Sequence, residues 1–127
     1  MVAATTGAAA QSATALRLAT TVPELRAALS ACIGRQTILH PLIAADPAPG
    51  MRLAIRFSVT RWGAIFGEPR FTFTSAGPPA TRAAYQAAVA AALSRCTPAR
   101  VTDELGGAIA GRPIVITFVE TRGTRSA

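Results

Sequence analysis

The chain has 127 residues, half of them hydrophobic, which is enough for one domain around one core and too apolar for a disordered polymer. Its charge comes from thirteen Arg and no Lys against six acidic residues, a formal net charge of +7. That excess fits Arg scattered by coding bias, and it also admits an anionic partner. No run approaches the roughly 20 apolar residues that a membrane-spanning helix needs.

Residues 1–20 are mostly Ala, Thr and Ser. They lack the basic start and dense apolar run of a signal peptide and are expected to form a low-complexity tail. The first helix is expected from Thr21, where Thr21-Val22-Pro23-Glu24 fits a capping box: the hydroxyl accepts from the Glu24 amide and the carboxylate reaches back. Pro23 is tolerated in the first turn. Leu25, Leu29, Cys32 and Ile33 make one apolar face, and Gly34 supplies a stop. Residues 36–50, with three prolines, read as a connector whose Ile38, Leu39, Leu42 and Ile43 pack on the core.

The clearest pattern follows. Met51, Leu53, Ile55, Phe57 and Val59 alternate with Arg52, Ala54, Arg56, Ser58 and Thr60, which is a strand with one buried face. Arg61-Trp62-Gly63-Ala64 turns the chain into a returning strand, Ile65 to Thr74, and completes a hairpin. Phe71 and Phe73 are expected to continue the apolar face, so that Phe57, Phe71 and Phe73 lie opposite Arg52, Arg56 and Arg70. Pro69 cannot donate to a ladder, which places this second strand at a sheet edge or on a bulge.

Gly77-Pro78-Pro79 breaks the strand, and a helix runs from about Ala80 to Cys96. Tyr85, Ala88, Val89, Ala92, Leu93 and Cys96 form its core stripe. Residues 105–112 read as a Gly-rich loop into a last strand, Ile114 to Val119, and residues 121–127 as a frayed tail. The expected fold is α+β, in the order α-β-β-α-β. Its three-stranded antiparallel sheet runs 2-1-3, with both helices on one face of a domain spanning residues 21–120.

Cys32 and Cys96 admit a disulfide, two buried free thiols, or a catalytic thiol with a bystander. Both fall on core stripes of helices expected on one sheet face, so a bond between them is geometrically reasonable. Closing a loop of about 65 residues would stabilise the fold by about 4 kcal/mol in the chain-entropy model. A disulfide would place the protein in an oxidising compartment. A metal site has little support, because no Cys-x-x-Cys spacing exists and His40 is the single histidine. His40 also lacks an acidic partner that would make it a base for a cysteine nucleophile. Asp103-Glu104 points two ways, Ser75 and Ser94 have no base in sight, and Gly106-Gly107 lacks the Lys-Ser/Thr ending of a phosphate loop. No catalytic residue, metal or cofactor is expected.

From about Ala28 to Val119 the chain resembles the C-terminal domain of the TonB and TolA proteins. The resemblance is carried by the strand Met51 to Thr60 and its Gly63 turn, then Gly67-Glu68-Pro69 entering the second strand. It continues through the Ala-rich helix Arg82 to Cys96, the following Thr97-Pro98, and a final strand ending at Phe118. The variety with Arg95-Cys96-Thr97-Pro98 and the run Leu105 to Pro113 looks like uncharacterised envelope proteins of α-proteobacteria. The resemblance implies a periplasmic domain that docks cell-envelope proteins, often by adding a strand to an open sheet edge. Those families also carry a membrane anchor and a long spacer, which this sequence does not show. Their hairpin turn is usually Asp-Gly or Asn-Gly, where this chain has Arg61-Trp62-Gly63. The resemblance therefore implies a fold and a binding mode, not energy transduction.

The leading expectation is a non-enzymatic interaction domain, with Ile114, Val115, Ile116, Thr117, Phe118 and Val119 as the docking edge. Trp62, Arg52, Arg56 and Arg70 are candidate exposed contacts. The alternative is a basic module for nucleic acid or lipid head groups. It is the weaker expectation, because the aromatics read as core rather than as stacking platforms.

Overall fold

The computed structural model describes residues 18–121. Of the tails expected at 1–20 and 121–127, residues 1–17 and 122–127 lie outside the described residues. Ala19 is buried and joins Val101 in an isolated parallel bridge. Its amide donates to the Arg100 carbonyl at 2.8 Å, and the Thr102 amide donates to the Ala19 carbonyl at 3.0 Å.

Helix α1 (Val22–Leu39) begins at the expected cap, with Thr21 Oγ1 accepting from the Glu24 amide at 3.2 Å. The Glu24 carboxylate reaches back one residue further than a capping box requires, to the Thr20 amide at 2.8 Å and its hydroxyl at 2.7 Å. The helix does not stop at Gly34. That glycine keeps a negative φ, and the buried stripe Leu25, Leu29, Ile33, Thr37 carries the helix onward. It ends at His40, which precedes Pro41 and is held extended (φ −62°, ψ 133°) by the proline ring.

His40 then caps a short helix, α2 (Pro41–Ala45), its Nδ1 accepting from the Leu42 amide at 3.3 Å. The expected connector is therefore partly helical. Ile43 packs in the core, but Leu39 and Leu42, expected there too, are 69% and 58% exposed.

Strand β1 (Arg52–Val59) is central, flanked by β2 (Ile65–Thr74) and β3 (Ile114–Val119) in an antiparallel sheet of order β2-β1-β3. Leu53, Ile55, Phe57 and Val59 point to one face with Ile114, Ile116 and Phe118. Helix α3 (Pro79–Arg95) covers that face with α1, burying the expected stripe of Tyr85, Ala88, Val89, Ala92 and Leu93. The result is the α+β arrangement that the hydrophobic periods predict.

The segment expected as a Gly-rich loop is largely a helix, α4 (Asp103–Ile109). Thr102 Oγ1 accepts from the Leu105 amide at 3.2 Å, and Asp103 and Glu104 stand in the first turn, where the helix dipole favours negative charge. Gly106 is buried because the Arg61 carbonyl packs onto it, leaving no room for a Cβ. On the other side of the same turn Gly63 (φ +84°) lies against the Ala99 backbone, whose amide donates to the Gly63 carbonyl at 2.8 Å. The hairpin turn is thus docked backbone to backbone on the chain between α3 and β3.

Gly106→Ala should lower stability in urea denaturation by about 1–3 kcal/mol, because backbone must move to admit the methyl. Gly107→Ala, one residue on and facing only the end of the Arg61 side chain, should raise it by up to about 1 kcal/mol. Equal effects of the two substitutions would contradict the docked turn.

Candidate partner-binding surface

Cys32 of α1 and Cys96 at the end of α3 form a disulfide, with an S–S distance of 2.07 Å and Cα atoms 6.0 Å apart. There are no free cysteines, so the alternative of two buried thiols does not hold. The bond ties together the two helices that cover the sheet, and it fits an oxidising compartment. No described helix is long and apolar enough to cross a membrane.

The other face of the sheet has no described helix over it. On β1 it presents Arg52, Ala54, Arg56 and Ser58, and on β3 Val115, Thr117 and Val119. On β2 the register shifts twice, between the partners of Ala54 and Ile55 and between those of Arg56 and Ser58. The first shift overturns one expectation. Phe71 pairs with Ile55 and stays half-buried, whereas Phe73 pairs with Ala54 and is 50% exposed on the outer face. An extra residue in one strand reverses the alternation beyond it, so a period read straight through 71–74 cannot place both rings.

The second shift contains Pro69 and brings Phe66, 59% exposed, opposite Ser58. Arg70 stands opposite Arg56. Two phenylalanines and three arginines therefore share the open face. A cleft of ≈ 370 Å³ is lined there by Arg56, Phe66, Glu68 and Arg70 together with Gly111 and Pro113. Glu68 is the one acidic residue in the three strands. Among the described residues, no hydrogen bond or ion pair engages the side chains of Arg52, Arg56 or Arg70.

The edge strand β3 has no further described strand beside it. Arg52 exchanges hydrogen bonds with Ser75 on the β2 side, its carbonyl accepting from the Ser75 amide at 2.8 Å and its amide donating to Ser75 Oγ at 3.0 Å. Its partner Val119 is therefore in a non-hydrogen-bonded pair, and the Val119 backbone groups point away from β1. The β1–β3 register is unbroken, so Thr117 and Val115 face outward in the same way. Ile114, Ile116 and Phe118 bond to β1 and bury their side chains. Trp62 sits at the hairpin tip, 73% exposed, with the Arg61 guanidinium carbon 5.9 Å from its ring centroid.

Four of the polar residues weighed for chemistry have structural roles. His40 caps α2, Ser75 holds the β1–β2 end and donates to Met51 Sδ at 3.2 Å, and Asp103 and Glu104 serve α4. No local pattern marks Glu120, whose carboxylate is buried just past the end of β3. The Ala48 amide donates to Tyr85 Oη at 2.8 Å, and Tyr85 donates to Glu120 Oε2 at 2.9 Å. This chain fastens the connector, α3 and the end of the sheet to one another. It is a structural lock beneath the surface rather than part of it.

The family model described as "uncharacterised conserved protein UCP034077" matches residues 15–122, so the chain belongs to that family. No curated protein and no solved structure matches the chain.

Two outcomes follow. Thiol counting on denatured, unreduced protein should find no reactive cysteine, and two should appear after reduction. Tyr85→Phe should lower the unfolding free energy by about 1–3 kcal/mol, because the Ala48 amide and the Glu120 carboxylate oxygen lose a shared buried partner.

Proposed function

We propose that this family member is a non-enzymatic docking module of the periplasm that takes an extended segment of a cell-envelope protein as a fourth strand beside β3. The observation that carries this reading is the outward backbone of Val115, Thr117 and Val119 on an edge with no internal proline. An unpaired edge of this kind offers backbone bonds for affinity, and its neighbouring side chains give selectivity. The disulfide supports an oxidising location, and the resemblance to the TonB and TolA C-terminal domains supports docking in the envelope.

A second reading has one observation in its favour. The turned-out Phe73 shares a face with Phe66, Arg52, Arg56 and Arg70, the pairing of aromatic and basic groups that single-stranded nucleic acid requires.

Peptides selected from a displayed random library on the purified protein test the first reading. Bound peptide should protect the amides of Val115, Thr117 and Val119 from hydrogen exchange. Val115→Pro and Thr117→Pro should each abolish binding while changing stability by less than about 1 kcal/mol, since the amides removed make no bond within the sheet. Binding that survives both substitutions would overturn strand addition.

A further inference from the structure

We infer that the segment added to β3 is acidic, with carboxylates at positions i and i+4 of an extended chain; this inference rests on the strand-addition reading. It follows from the register between β1 and β3. Arg56 stands opposite Val115 and Arg52 opposite Val119, all on the open face. Paired residues of neighbouring strands keep their side chains on the same face. An incoming strand therefore places one residue in line with Val115 and Arg56, and another in line with Val119 and Arg52. Val115 and Val119 are four residues apart, so the incoming residues are four apart as well, in whichever direction the segment runs.

Reach and charge agree with this spacing. At the usual strand separation the incoming backbone lies about 10 Å from β1, a gap that extended Arg and Glu side chains close between them. The two intervening valines, 41% and 40% exposed, offer apolar surface on which the Arg methylenes can lie. Neither guanidinium is engaged by another described residue. The one acid of the sheet, Glu68, is on β2, the strand farthest from the incoming one, so the field over β1 and β3 is positive. Between the two rows, Thr117 stands opposite Ala54, and this low stretch leaves space for a large side chain at i+2.

The test uses the full chain and short synthetic β-prone peptides of one composition, differing only in where two Glu stand. Spacing i, i+4 puts both carboxylates on the open face, and spacing i, i+3 puts one on each face. The i, i+4 peptide should bind roughly threefold more tightly, as expected for the one additional exposed charge pair, and the difference should narrow with added salt. The double variant Arg52→Gln, Arg56→Gln should erase the preference while leaving residual binding that Val115→Pro still removes. Equal affinity for the two peptides would overturn the acidic spacing and leave strand addition standing. Failure of both peptides, and of a Lys i, i+4 peptide, to protect β3 would overturn both. Single-stranded oligo-dT that binds with loss in the Arg double variant and displaces the peptide would assign the face to nucleic acid and overturn the proposal. So would a free protein that self-associates through β3 and excludes the peptide.

Discussion

Burial of Leu53, Ile55, Phe57 and Val59 along one face of β1 is the constraint from which the rest of the domain follows. Four large side chains on alternate positions need a cover, and α1 and α3 supply it with their own apolar stripes. With one face committed to the core, the intervening Arg52, Ala54, Arg56 and Ser58 must point outward. The positive face of the sheet is thus the direct complement of the core. The strands on either side inherit their faces from the register in which they pair with β1.

The two neighbours inherit them differently. β3 pairs without interruption, so Ile114, Ile116 and Phe118 join the core while Val115, Thr117 and Val119 line up with the arginine row. β2 carries two register shifts, one of them at a proline that could not have served a central strand. The first shift turns Phe73 out of the core; the second slips the pairing by two residues, keeps the alternation and seats Phe66 opposite Ser58 on the same face. The straight edge is suited to pairing with another chain, and the irregular edge resists it.

Around the sheet, polar groups define where elements end. Pro41 ends α1 and lets His40 cap α2; Thr102 starts α4; Tyr85 and Glu120 close the far end of the sheet on the connector. The disulfide fixes α1 to the end of α3, so the layer covering the core is braced at its outer surface. His40, Ser75 and the two acids of α4 also hold this frame. Exposed beside this frame, among the described residues, stand the arginine row, the two phenylalanines, Trp62 under the Arg61 guanidinium, and the β3 edge.

Much of this was legible in the sequence. The period of two in β1 and β3, the period of 3.6 in α1 and α3, the Thr21 cap and Pro69 on an edge strand all rest on local chemistry that each segment carries alone. The same patterns led to the Cys32–Cys96 pairing, because both residues fall on stripes facing one sheet. Other features needed the tertiary structure. Gly34 sits inside a helix because Ile38 packs against the core beyond it, a long-range gain that no local stop signal reveals. Gly106 is in a helix against the Arg61 carbonyl, a close approach between residues far apart in sequence; the Thr102 cap and the two acids after it were the signal that could have shown the helix start. Phe73 faces outward because a bulge is a relation between two strands, not a property of one. The sequence by itself determined the core and hence the existence of an open face. The pairing of the strands decided which side chains stand together on it.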